Sequence, residues 1–142
     1  MSDFTVDPAF EGGSVFVGDT GLCHIRLQND VRWPWLILIP RRAGLREIED
    51  LSPADRAALI EESVLAGRAV RGVGEAIGFS VEKLNLGALG NVTPQLHLHV
   101  VGRRAGDPAW AGPVWGVGTA EPYGEAILAT AIEAVRRTLG VR

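Results

Sequence analysis

The sequence predicts an α+β domain: an antiparallel sheet of about five strands, a long central helix and a C-terminal helix. Three observations carry this. Short apolar segments come in neighbouring pairs joined by turn-rich links, which marks hairpins and antiparallel pairing. Two longer segments repeat their apolar residues at helical spacing instead. The order along the chain is strand, strand, helix, strand, strand, helix, so the helices pack against a sheet built from hairpins.

Each element has its own signal. Residues 1–20, rich in Gly, Asp and Ser, read as loop with one short strand near 15–17. Leu22-Cys23-His24-Ile25-Arg26-Leu27 alternates, so Cys23, Ile25 and Leu27 take one face and His24 and Arg26 the other. Asn29-Asp30-Val31-Arg32 is a turn signal. Trp35 to Ile39 is apolar on both faces and reads as a central strand, ended by Pro40. Ser52 is a helix N-cap, followed by Pro53 at the first helical position and Asp55 in the first turn. Ile60, Val64, Gly67, Val70, Val73 and Ile77 continue at helical spacing to a stop at Gly78, giving a helix over 53–77. Residues 79–86 read as a strand, linked by 87–94 to a second strand over 95–101. Residues 103–119, with glycines, prolines, Trp110 and Trp115, read as loop, and a last helix spans about 122–139.

The chain has 142 residues, 46% hydrophobic and 22% charged, which fits a single domain over 1–142 with a real core. A net charge of -3 gives no electrostatic case for nucleic acid as a partner. One cysteine, Cys23, excludes an intramolecular disulfide and suits a reducing compartment; it reads as a small core residue. Met1-Ser2-Asp3-Phe4 lacks the start of a signal peptide, and no apolar run reaches the roughly 20 residues that cross a bilayer. The expectation is a soluble, cytoplasmic protein without a membrane partner.

The chemistry-bearing stretch is Gln95-Leu96-His97-Leu98-His99-Val100-Val101. On a strand its side chains alternate, so Gln95, His97 and His99 share one face, spaced roughly 6.5–7 Å apart. Three readings stay open for the imidazole pair: no role, a metal site, or nucleophilic catalysis. A metal needs further ligands, and no Asp or Glu follows until Asp107, while Cys23 and His24 face opposite ways. Catalysis gains from the preceding loop. Gly87 and Gly90 let backbone approach a ligand, and Asn85, Asn91 and Thr93 add short hydrogen-bonding groups beside it. A hairpin linker explains the two glycines equally well.

These residues resemble the histidine-triad (HIT) motif, His-φ-His-φ-His-φ-φ with φ apolar, preceded by a Gly/Asn loop; the resemblance extends over nearly the whole chain. The departure is Gln95, where the family has its first histidine; the chain resembles a bacterial HIT-like branch with glutamine there and tryptophans in the following loop. The resemblance implies a nucleotide hydrolase or nucleotidyl transferase acting at an α-phosphate, on a dinucleoside polyphosphate or nucleoside phosphoramidate, with no cofactor, and a homodimer. It implies that His97 is the nucleophile, that His99 contacts the phosphate oxygens, and that Gln95 supports the site by hydrogen bonding. It implies that Asp30 binds ribose hydroxyls and that Asn85 lies near the nucleotide; Asn91 and Thr93 belong to the phosphate loop. The glutamine opens an alternative, a nucleotide-binding protein with little turnover, because an amide cannot change charge near neutral pH. Arg41, Arg42, Arg103 and Arg104 read as solvated surface groups that could attract phosphate, and Trp110 and Trp115 as packing residues or covers of the site.

Overall fold

The computed structural model describes residues 3–142; residues 1 and 2 of the expected N-terminal loop lie outside them. Five strands form one antiparallel sheet: β1 (Ser14–Asp19), β2 (Cys23–Gln28), β3 (Trp35–Pro40), β4 (Lys83–Gly87) and β5 (Leu98–Arg103). Their order in space is β1-β2-β3-β5-β4, so β5 lies inside the sheet and β4 at its edge. Two helices, α1 (Pro53–Ile77) and α2 (Glu125–Leu139), complete the α+β architecture the sequence predicts.

Both helices follow their capping chemistry. The Ser52 hydroxyl accepts from the Asp55 N–H at 3.1 Å, Pro53 opens α1, and Gly78 closes it in the left-handed region at φ 74°. Helix α2 starts at Glu125 rather than near 122, with Gly124 as its cap, and Gly140 ends it at φ 69°. It packs along α1 and is tied to β1 by Arg136, whose Nε donates to the Val17 carbonyl at 2.9 Å.

Strand alternation divides the core in two. Ile25, Leu27, Leu36, Leu38 and Val100 point to the helices and meet Leu59, Ala66, Val70, Val73, Ala131 and Val135. Trp35, Ile37, Ile39 and Val101 point the other way and meet Phe10, Trp33, Phe79 and Val114. Among the described residues no α-helix lies across that second face. The N-terminal segment, with a 3₁₀ turn at Pro8–Gly12, and the loop after β5 cover it instead. The 3₁₀ turn was not expected, although its Asp-Pro start is a cap signal: the Asp7 carboxylate accepts from the Ala9 N–H at 2.9 Å.

Three strand boundaries depart from expectation. β1 is longer than the segment read near 15–17 and carries a bulge between Phe16 and Gly18. β4 begins at Lys83, not at Phe79, because Phe79 completes the end of α1: its N–H donates to the Gly74 carbonyl at 2.8 Å and its ring enters the second core. The motif segment joins the sheet only from Leu98. At Gln95–His97 both flanking ladders have ended, the last pairs being Leu38 with Leu98 and Gly87 with His99. Among the described residues no helix is long and apolar enough to cross a membrane.

Candidate active site

The loop between β4 and β5, the end of the motif segment and Trp115 enclose a cavity of about 290 Å³. Leu89, Gly90, Asn91, Val92, Thr93, His97, His99 and Trp115 line it. Gly90 sits at φ 66°, a left-handed conformation that turns the loop over the site. Among the described residues the backbone N–H groups of Gly90, Asn91, Val92 and Thr93 have no partner within the protein. A run of unpaired donors in one loop is suited to an anion. Gly87, paired with His99, leaves room for the Trp115 ring; a Cβ there would stand 3.0 Å from it.

The two imidazoles line the same cavity, with ring centroids 4.8 Å apart and planes crossed at 74°. Both are buried. His97 Nδ1–H donates to the Gln95 carbonyl at 2.7 Å, which leaves the lone pair on Nε2. Phe10 packs edge-on against the same ring at 4.8 Å. Burial lowers the His97 pKa below the ordinary 6.5, and the Gln95 carbonyl opposes that in part. His99 accepts at Nδ1 from the Trp35 indole N–H at 3.0 Å. Its burial, and second the neighbouring His97, push its pKa down to about 3. Both rings are neutral near pH 7.

The structure thus gathers His97, His99, Asn91 and Thr93 and separates the other candidates from them. Gln95 contributes its carbonyl; its side chain points away. The amide oxygen accepts from the Asp7 N–H at 2.8 Å and the amide nitrogen donates to the Thr5 carbonyl at 2.8 Å. Those two groups flank Val6 and face the same way, as in a strand edge, and a primary amide presents a donor and an acceptor on one edge to match them. An imidazole carries its two nitrogens on diverging edges and could not make both bonds. Asp30, the ribose candidate, lies outside the cavity lining: it is 2% exposed and both its oxygens accept from Arg32, at 3.0 and 2.9 Å. It holds the β2–β3 turn, and Arg32 reaches on to the Val117 carbonyl at 2.8 Å. Asn85 is likewise engaged, accepting from Arg103 at 2.7 Å.

Arg103 is no solvated surface group. It is 1% exposed and pairs with Asp107 through two bonds of 2.7 and 2.9 Å. Burial alone would raise the Asp107 pKa, but the bonds from Arg103 and from the Ala109 N–H outweigh it and hold the carboxyl down at about 2. Arg104 lies over the Phe79 ring, Arg41 donates to the Thr20 carbonyl, and Arg42 pairs with Asp55 on the surface. Burial raises the Cys23 thiol pKa, which marks it as an inert core residue. Among the described residues no three His, Cys, Asp or Glu side chains gather as a metal ligand set. Sequence reasoning missed Trp35 and Phe10 as neighbours of the imidazoles. Trp35 had one signal, a ring with a polar edge placed on a strand face that otherwise carries Ile37 and Ile39.

An α+β sheet that delivers two neutral imidazoles to a loop of unpaired N–H donors defines the class of histidine-triad proteins. The chain belongs to that family: the HIT domain model matches residues 9–106. Solved structures agree over the full fold. A histidine triad protein from Sinorhizobium meliloti 1021 is 46% identical with a TM-score of 0.86, over 96% of this chain and 97% of that one. One from Marinobacter aquaeolei VT8 is 39% identical with a TM-score of 0.86, over 96% of each chain. One from Bradyrhizobium japonicum is 34% identical with a TM-score of 0.88, over 96% and 98%. No curated protein matches. Members of the family are in general nucleotide-binding hydrolases and transferases.

Proposed function

We propose that this protein cleaves a nucleotide at its α-phosphate through a covalent nucleotidyl-histidine on His97. The observation that carries the reading is the His97–Gln95 hydrogen bond, which leaves an unprotonated Nε2 on a ring that lines the cavity together with a loop of unpaired N–H donors. In the first step a bond forms from Nε2 to phosphorus, and the leaving group departs with its electron pair and takes a proton from solvent. In the second, water attacks phosphorus, the P–N bond breaks, and the proton of water is released. Asn91, Thr93 and the loop N–H groups hold the phosphoryl oxygens, and His99 faces them from the other wall. Leu89, Val92 and Trp115 supply an apolar wall for an adenine-type base or for the leaving group.

None of the described residues lining the cavity is Lys or Arg. A phosphate carrying one charge is met by these neutral donors; a polyphosphate chain finds no cation to pair with. The site therefore favours a nucleoside phosphoramidate over a dinucleoside polyphosphate. The test is incubation with labelled adenylyl substrates of both kinds, followed by mass spectrometry of the quenched protein. An adduct on His97, absent in His97→Ala, is expected. Tight binding with neither adduct nor product supports the second reading, a nucleotide-binding protein with little turnover. One feature favours that second reading: the Gln95 amide is spent on residues 5–7, so no third side chain of the motif stands ready to protonate a leaving group.

The open edge of β4 also fits a second copy of the chain. Leu86 on β4 is exposed, as are Ile60 and Val64 on α1, and these two share a helix face with Gly67, which lies beside Leu84. A homodimer joined along β4 and this face would cover an apolar strip and pair an edge. Sedimentation at micromolar concentration should give a two-chain mass, and Leu86→Lys should give one chain. A wild-type monomer refutes the dimer.

A further inference from the structure

Trp35 is 6% exposed and lies on the same sheet face as His99. Its indole N–H donates to His99 Nδ1 at 3.0 Å. A partner for a buried indole is not automatic in this cluster, because the Trp115 indole nitrogen is buried without one. The rings of Trp35 and Trp115 stand edge-on to His99 at 5.6 and 5.5 Å, so the imidazole is held from two sides. A neutral imidazole has one N–H. With Nδ1 accepting, the proton of His99 is on Nε2. His97 is the reverse, with its proton on Nδ1 and its lone pair on Nε2.

We infer that Trp35 is a positioning residue that fixes the tautomer and ring orientation of His99, making it a neutral N–H donor beside the nucleophilic lone pair of His97. The two adjacent imidazoles then divide the work. One gives electrons to phosphorus and the other gives a hydrogen bond to a phosphoryl oxygen. Without the indole N–H, His99 Nδ1 would be a buried acceptor with no partner, and the ring could satisfy it only by turning its N–H away from the cavity. This inference rests on the proposed α-phosphate chemistry for its kinetic consequence, but the hydrogen bond itself does not.

The test has two arms on the intact protein. In ¹⁵N-labelled wild type without nucleotide, a scalar coupling across the Trp35 Nε1–H···Nδ1 His99 bond is expected, with the His99 proton on Nε2 and the His97 proton on Nδ1. Trp35→Phe keeps the aromatic bulk and removes the donor. Its kcat toward an adenosine phosphoramidate should fall roughly tenfold with KM within about twofold, since a donor aimed at developing charge acts on the transition state. A role in packing alone would lower the melting temperature and leave kcat per folded molecule unchanged. Absence of the coupling, a His99 proton on Nδ1, or an unchanged kcat in Trp35→Phe overturns the inference. The wild-type spectrum decides the bond whether or not the variant folds. If the coupling is present but no substrate is turned over, the proposed function fails while the bond stands.

Discussion

Replacing Gln95 with alanine separates two roles that the motif position combines. The substitution removes the amide bonds to Asp7 and Thr5, each 2.8 Å, and leaves the Gln95 carbonyl that orients His97. One lost bond is half-buried and the other exposed. At about 0.5–1 kcal/mol apiece, the variant should lose about 1–2 kcal/mol of stability. Freed of its clasp, the segment carrying Phe10 packs less firmly on His97, so turnover should fall by less than about tenfold, well short of the His97→Ala loss. Urea unfolding gives the first quantity, with the slope unchanged because the chain still buries the same surface. Adduct formation on His97 gives the second. Gln95→His should resemble Gln95→Ala in stability, since an imidazole cannot serve both backbone groups. If Gln95→Ala abolishes the adduct while its urea midpoint stays at the wild-type value, the amide acts on substrate and the clasp reasoning is wrong.

Other expectations follow from single contacts. Gly87→Ala sets a Cβ 3.0 Å from the Trp115 ring and 3.1 Å from Leu89, so Trp115 must move into the cavity and KM should rise severalfold; an unchanged KM would mean that wall plays no part in binding. Gly74→Ala drives a Cβ into the Phe79 carbonyl at the end of α1 and should cost about 2–3 kcal/mol by denaturant unfolding. Asp107→Asn strips the carboxylate from fully buried Arg103 and should cost about 3–5 kcal/mol. The pKa of His99 is lower folded, at about 3, than unfolded, at 6.5. The unfolded chain therefore binds the proton first, so this group's stability is present above pH 6.5 and is lost as pH falls toward 3. The slope is ~1.4 kcal/mol per pH unit, about 2 kcal/mol between pH 6.5 and 5. His97, lowered in the same direction, adds to it. Replacing His99 with glutamine should flatten the profile, and an equally steep profile in that variant would show that other groups govern it.

Elements whose signals are local were legible in the sequence. Helix α1 has its cap, its proline and its terminal glycine within the segment itself, and the span of about 53–77 that they imply agrees with Pro53–Ile77. The pair of hairpins gave the sheet, and the motif gave His97 and His99. What escaped were properties set by partners distant in sequence. Asp30 reads as a free turn carboxylate until Arg32 folds back over it and residues 117–121 close on both. Arg103 reads as surface charge until Asp107 and Asn85 surround it. Gln95 reads as a weakened triad member because its partners at residues 5–7 lie some 90 positions away.

The strand end at Leu98 explains why two histidines, separated by one leucine and alike in sequence, differ in chemistry. His97 lies where the chain has left both neighbouring strands. The Gln95 carbonyl has no ladder partner there and is free to take the Nδ1–H of the ring two residues on. His99 lies inside the sheet between β3 and β4, where backbone carbonyls are committed to the ladders. No local acceptor is left for its Nδ1–H, so the ring takes the other tautomer and needs a donor from a neighbouring strand. Trp35, paired with Val101 and so diagonal to His99 on β3, is long enough to supply it. A uniform seven-residue strand, as the sequence suggests, would give both rings the same surroundings. The break between Leu96 and Leu98 makes one of them a lone pair and the other a donor, the asymmetry that attack on a phosphoryl group requires.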